Sequence, residues 1–342
     1  MIENNNTENI ENIENIENTE NIENNIKFDL TIYKQANKDL SNLTDKEVLQ
    51  HFEEYGQYQM RIYFPISHFK KEIVYIFSSK YGYYLAKTLQ YILFKNFIIS
   101  HIVDKINYKS DNLHIILFSQ KVTKYPKNYI IYQLEQKDIS KWVDKKYELS
   151  ILFSKKTWDY SSSNILKFPD ILQKKMQYFP IPLIPYHYLN NNLNKNIYNN
   201  STNNILFYGS MNEKRQLILN YLQKKLYPKY KITIISSIFE ENLFREILKS
   251  KIIINIHYYE NGILETNRLN ECLSCKKIVI SEKPNIIDIE NYLAYNDKII
   301  FIDNPNEMYE KIVYYLENNE EYEKYVNNIK YDYDIKKIVN FI

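Results

Sequence analysis

Between residues 205 and 320 the chain alternates two kinds of segment. Short apolar runs rich in β-branched residues, Ile205–Tyr208, Lys231–Ser236, Ile252–His257, Lys277–Ser281 and Lys298–Ile302, read as strands. Between them, Asn212–Leu226, Glu240–Lys249 and Glu265–Leu273 carry apolar positions at helical spacing, and a further helix follows Asp303-Asn304-Pro305 and runs to about Asn318. The run Ile252-Ile-Ile-Asn-Ile is nearly all apolar, as a strand covered on both faces requires. Strand–helix alternation predicts a parallel sheet with helices on its faces.

A second, less regular alternation occupies residues 64–188. Its predicted strands are Glu72–Phe77, His114–Ser119, Tyr129–Gln133 and Leu149–Phe153, with a helix over Tyr83–Phe97. Three prolines between Phe179 and Pro185 close it. The Asn-rich stretch 189–204 reads as a linker and 205–320 as a second α/β domain. Residues 27–63 have helical periodicity and form a small module, with Gly56 as a helix stop, and 321–342 read as a C-terminal helix. The first 26 residues repeat Glu-Asn-Ile and are expected to be a disordered tail. The expected fold class is therefore α/β, with two doubly wound Rossmann-like domains facing a cleft after the tail and the helical module. Ligands of such sheets bind beyond the carboxyl ends of the strands.

Composition changes how single residues are weighed. The chain of 342 residues has four glycines, four arginines and three alanines, but 34 tyrosines. Average usage of roughly 7% would give about 24 glycines. This skew follows A/T-rich codons, so the abundant Asn, Lys and Tyr carry little signal and the rare residues carry more. Forty-four Lys+Arg against 42 Asp+Glu leave a net charge of +2, which argues against a nucleic-acid partner held by a basic surface. No run reaches the roughly 18–20 apolar residues of a membrane span, and no signal peptide is present, so a soluble, cytoplasmic protein is expected. The two cysteines, Cys272 and Cys275, have no second ligand pair near them and read as packed thiols rather than a metal site.

Two clusters hold the rare residues. Gly209 and Ser210 follow a strand and precede a helix, where backbone N–H groups and the helix dipole favour an anion. Lys214 and Arg215 lie in that helix's first turn, where cations oppose the dipole unless an anion is bound. In the second cluster, Glu265, Arg268 and Glu271 are spaced three apart on a helix, about 60° from one to the next. Carboxylates there suit ribose hydroxyls and an arginine suits phosphate, although the same spacing also suits surface ion pairs. His257 ends a strand facing the expected cleft.

The strand–Gly209–helix unit, Ser250–His257, and the run from Glu265 through Glu271-Cys-Leu-Ser-Cys-Lys-Lys-Ile-Val-Ile-Ser281 resemble the C-terminal half of group 1 glycosyltransferases with the GT-B fold. More weakly, Tyr129–Gln136 and Trp158–Ser161 with Asn164 resemble the N-terminal half of related members, and the 27–63 unit resembles a helical module that accompanies some of them. The resemblance implies metal-independent sugar transfer from a nucleotide-sugar donor, a substrate rather than a cofactor, to an unidentified acceptor such as a glycan, protein or lipid. It implies that Glu271 binds the donor ribose and that Gly209 with Lys214 or Arg215 holds the diphosphate and stabilises the departing charge. By position rather than by resemblance, Ser210 and Arg268 are further donor-binding candidates and Arg215 and Glu265 catalytic ones, with His257 preferred over His68, His101 and His114 as the candidate base. The family's second Glu, eight positions before Glu271, is replaced by Ile263, with Glu260 and Glu265 flanking it, so a non-catalytic binding or scaffold protein with the same fold is the alternative.

Overall fold

The computed structural model describes residues 28–190, 203–260 and 262–331. The expected tail, most of the linker and the end of the C-terminal segment lie outside these residues. Contacts divide the chain after Phe69.

In the first unit, helix α1 (Leu30–Ala36) is capped by Asp29, whose carboxylate accepts from Ile32 N at 2.9 Å. Helix α2 (Asp45–Glu54) starts with a reciprocal capping box between Thr44 and Glu47. The helices close over Tyr33, Leu40 and Val48, and Arg61 holds Asp39 with two hydrogen bonds of 2.9 and 2.8 Å. Helix α2 ends at Glu54 with Tyr55 as its C-cap, so Gly56 follows the stop as expected, and it is also required for close approach: a Cβ there would lie 1.7 Å from the Tyr33 hydroxyl.

The second unit contains two all-parallel sheets. The first has the strand order β2-β1-β3-β4-β5-β6, built from β1 (Ile73–Phe77), β2 (Ile99–Val103), β3 (Leu113–Ile116), β4 (Tyr129–Gln133), β5 (Lys156–Asp159) and β6 (Met176–Tyr178). The second has the order β11-β10-β9-β7-β8, from β7 (Asn203–Tyr208), β8 (Ile232–Ile235), β9 (Ser250–Asn255), β10 (Ile278–Glu282) and β11 (Ile300–Ile302). The longer helices of this unit are α3 (Tyr83–Lys95), α4 (Lys145–Phe153), α5 (Glu213–Leu226), α6 (Glu240–Lys249), α7 (Thr266–Ser274), α8 (Ile289–Tyr295), α9 (Pro305–Glu317) and α10 (Asn319–Asn327). Both sheets are doubly wound, as the strand–helix alternation predicted.

Strand order determines where a ligand can sit. After β1 the chain moves to β2 on one side and then returns to β3 on the other. After β7 it moves to β8 and returns to β9. The loops after β1 and β3, and those after β7 and β9, therefore diverge and open a crevice at each switch point. Within this unit, hydrogen bonds join segments of the two sheets. Ile263 N donates to Gln136 Oε1 at 3.1 Å, Ser161 Oγ to Asp288 Oδ1 at 2.9 Å, and Asn270 Nδ2 to Ile181 O at 2.9 Å. Asp288 also accepts from Leu264 N at 2.8 Å, and so fixes the loop leading into α7.

Several elements differ from the sequence expectation. Leu149–Phe153 is the end of α4, not a strand. Asp144 caps that helix by accepting from Tyr147 N at 2.8 Å, and Tyr147, Ser150 and Ile151 face inward at helical spacing while Leu149 and Phe153 are exposed. β2 is an edge strand without a buried side chain, and β6 is a three-residue edge strand, so neither carries an apolar signature. The C-terminal helix ends at Asn327 within the described residues.

Candidate functional site

β7 ends at Tyr208, and Gly209 turns the chain with φ +133°, a conformation that favours glycine. Asn212 caps α5 by accepting from Arg215 N at 2.9 Å. Arg215 does not point out from the helix tip. It is buried, and it donates from Nε to Ile256 O at 2.9 Å and from a terminal nitrogen to Ser210 O at 2.6 Å. Burial and the neighbouring Arg268 lower its pKa to about 10, which leaves it cationic at neutral pH. Arg268, from the first turn of α7, lies over the Tyr208 ring at 4.4 Å and donates to Tyr208 O. A Cβ on Gly209 would meet the two guanidiniums at 2.8 Å (Arg268) and 3.3 Å (Arg215). Both arginines donate to backbone carbonyls, and the buried Nε of Arg268 has no hydrogen-bond partner among the described residues. The result is concentrated positive charge behind a single glycine.

Lys214 corrects an expectation. Its ammonium lies 3.0 Å from Glu282 and 3.8 Å from Glu260, so carboxylates of the protein, not a bound anion, offset the unfavourable dipole. His257 is likewise paired within the protein. It is buried; Nδ1 meets Glu265 Oε2 at 2.7 Å, and Nε2 meets Glu282 O at 3.1 Å. Burial opposes the imidazolium, but Glu265 outweighs burial and raises the pKa of His257 above its usual value. Burial by itself would raise the Glu265 pKa. His257, Arg268 and Asn255 reverse that and hold it at about 2, so Glu265 is an anion throughout the physiological range. The pair is most stabilising above the ordinary Glu pKa and below the ordinary His pKa, and its contribution is lost as pH rises through the raised His pKa.

Glu271 has the opposite character. It is buried one turn beyond Arg268 on α7, accepting from the Tyr208 hydroxyl at 2.9 Å and from Asn267 Nδ2 at 3.4 Å. Burial raises its pKa to about 7 against the lowering effects of Tyr208 and Arg268. Cys272 and Cys275 are free, buried thiols, and burial pushes the Cys272 pKa up to about 12.

Two cavities open at the switch points. One, with about 870 Å³ of empty space, is lined by Tyr208, Gly209, Ser210, Arg268 and Glu271 and by the Ser236–Phe239 loop after β8. The other, of about 800 Å³, is lined by Glu265, Thr266 and Arg268 on one side and by Phe118, Glu135 and Tyr160 on the other. They share Tyr81, Asn267 and Arg268. The structure thus brings Gly209, Ser210, Arg268, Glu271 and Glu265 to adjoining cavity walls, whereas Lys214, Arg215 and His257 line neither. Sequence reasoning missed Tyr208, which was lost among 34 tyrosines, and Glu135, which follows β4. Burial raises the pKa of Glu135, whose carboxylate accepts from Ser140 Oγ at 2.6 Å and Gln120 Nε2 at 2.7 Å. Among the described residues no group of three or more His, Cys, Asp or Glu is arranged to hold a metal ion, and no helix is long and apolar enough to cross a membrane.

Residues 195–334 match the glycosyl transferase-like family model. No curated protein matches the sequence. Among solved structures, the T4 alpha-glucosyltransferase in complex with UDP and a 13-mer DNA is similar, with a TM-score of 0.52 at 12% identity, covering 75% of this chain and 93% of that one. Anabaena HepE in complex with UDP-glucose gives a TM-score of 0.50 at 6% identity, with 75% and 93% covered. At these identities the likeness shows the fold. Because a protein of this fold is seen with DNA, a net charge of +2 does not exclude a nucleic-acid partner. The fold and the family match over the second sheet agree: the chain has the GT-B fold, and its residues 195–334 match a glycosyl transferase-like family.

Proposed function

We propose that the protein transfers a sugar from a nucleotide-sugar donor to an acceptor, with the nucleoside diphosphate held against the second sheet. The observation that carries this reading is the convergence of Gly209, Arg268 and Glu271 on one cavity at the β7/β9 switch point. A carboxylate accepts hydrogen bonds from two vicinal ribose hydroxyls, and ionised Glu271 offers that site. Gly209 allows close approach of a diphosphate. Arg268 meets the charge that develops on the leaving group, so the reading needs no metal ion. Arg215 acts from behind, holding Ser210 O and adding a fixed positive charge. His257 is a positioning residue that keeps Glu265 anionic where the second cavity receives the sugar. The neighbours' complexes with UDP and UDP-glucose support this donor class.

Incubation with a panel of nucleotide sugars and no added acceptor tests the reading. Slow release of nucleoside diphosphate from one member is expected, with water standing in as acceptor, and Arg268→Ala should lower it at least tenfold. Binding without release, in both the presence and absence of acceptor extracts, would instead support a non-catalytic binding protein. That alternative draws on Ile263 standing where the family has a second Glu.

A further inference from the structure

The loops after β2, β1 and β3 are neighbours because those strands are neighbours in the sheet. They carry exposed lysines: Lys105 after β2, Lys80 after β1, and Lys121 and Lys124 after β3. Each of three of these ammonium groups lies against an aromatic ring. Lys80 Nζ is 4.1 Å from the centre of Phe239 and 5.6 Å from that of Tyr81. Lys121 Nζ is 4.6 Å from Tyr81 and 5.4 Å from Phe118, and Lys124 Nζ is 5.5 Å from Tyr108. Tyr81 and Tyr108 are 51% and 44% exposed, so part of each ring is accessible to a ligand.

Asp104 and Glu240 line a cavity with Lys80 and Lys105, but no ion pair joins any of the four lysines to an acid among the described residues. Burial and then the charge of Lys80 lower the pKa of Lys121, so two like charges are held around Tyr81 without an ion pair to either. Cations that repel each other beside open aromatic faces complement a ligand that alternates phosphate with a flat ring. Tyr81 also lines both donor-side cavities, so a strand on this rim would lead into them.

We propose that this rim is a docking surface for single-stranded nucleic acid, with phosphates on Lys80, Lys121 and Lys124 and bases stacked on Tyr81 and Tyr108. A single strand fits better than a duplex because only unpaired bases present free faces to aromatic side chains. Docking does not depend on the glycosyl-transfer reading and adds a partner to it.

Fluorescence anisotropy of the full chain with a labelled single strand about 20 nucleotides long tests the assignment, with the matched duplex and inorganic polyphosphate as competitors. The single strand is expected to bind at least tenfold more tightly than the duplex. A Lys80→Gln/Lys121→Gln/Lys124→Gln variant should reduce the slope of log affinity against log salt by about 2, since each lost phosphate contact removes roughly 0.7. Tyr81→Leu should weaken binding of the strand about tenfold and leave polyphosphate binding unchanged. These side chains are exposed, and unchanged melting of the variants serves as the folding control. An unchanged affinity in the triple-lysine variant, or equal binding of polyphosphate with no effect of Tyr81→Leu, overturns the proposal in favour of another anionic partner or none. Because no donor nucleotide is present, failure here leaves the donor reading untouched.

Discussion

Glu271→Gln is expected to make the protein more stable above pH 7 and to remove most of its affinity for nucleoside diphosphate. The stability effect follows from the folded-state pKa, which burial raises from 4.5 to about 7. A carboxyl group with a raised pKa contributes stability that is fully present below about pH 4.5 and is lost as pH rises through about 7. At about 1.4 kcal/mol per unit, this shift amounts to roughly 3 kcal/mol, the cost of keeping a buried anion at pH 8. Glutamine never pays that cost. Its oxygen can accept from the Tyr208 hydroxyl, and its amide can donate to Asn267 Oδ1, buried without a partner among the described residues, once the Asn267 amide turns over to present that oxygen in place of Nδ2. Melting temperatures of the variant and the native chain should therefore agree near pH 4 and diverge by pH 8, with the variant higher. Binding runs the other way. The amide loses charge-assisted acceptance from ribose hydroxyls, a loss of about 1.5–3 kcal/mol. Native affinity should rise between pH 6 and 8 as Glu271 ionises, and the variant's should be weak and flat. A variant less stable at pH 8 would contradict the account of Glu271 as a strained buried anion.

Gly209→Ala should damage both stability and binding. Its φ of +133° lies where L residues are strained, at a cost on the order of 1–3 kcal/mol. The new methyl would also lie 2.8 Å from an Arg268 nitrogen and 3.3 Å from one of Arg215. Arg268 must then leave Tyr208 O, or β7 must shift against β8, to which Gly209 N is bonded through Ile235 O at 3.0 Å. A fall of several degrees in melting temperature is expected, together with loss of nucleotide binding. Ser210→Ala is the control, since only the backbone carbonyl of Ser210 holds Arg215.

The second sheet was largely legible in the sequence because its central strands are buried on both faces. Ile252–Ile254 form a continuous apolar run between amphipathic helices, and the rare Gly209 and Arg268 sit at the loops that such a sheet uses. The first sheet was harder to read, since β2 and β6 are edges without apolar alternation and α4 contains a strand-like run. The direction of Lys214 and Arg215 was not legible either. Adjacent helix residues point about 100° apart, and tertiary partners decide which turns inward. For Arg215 these are the carbonyls of Ile256 and Ser210, and for Lys214 the carboxylate of Glu282. The contact between Ser161 and Asp288 spans 127 positions and leaves no local signal. Net charge hid the lysine rim, since a sum over the chain discards placement.

Isothermal titration of the native chain, Arg268→Ala and Glu271→Ala with uridine and guanosine diphosphates tests the donor site most directly. The account predicts a dissociation constant below millimolar for one of the two with the native chain, weakened at least tenfold in each variant while both remain folded by circular dichroism. No binding of either nucleotide at millimolar concentration, or native affinity in both variants, would contradict it.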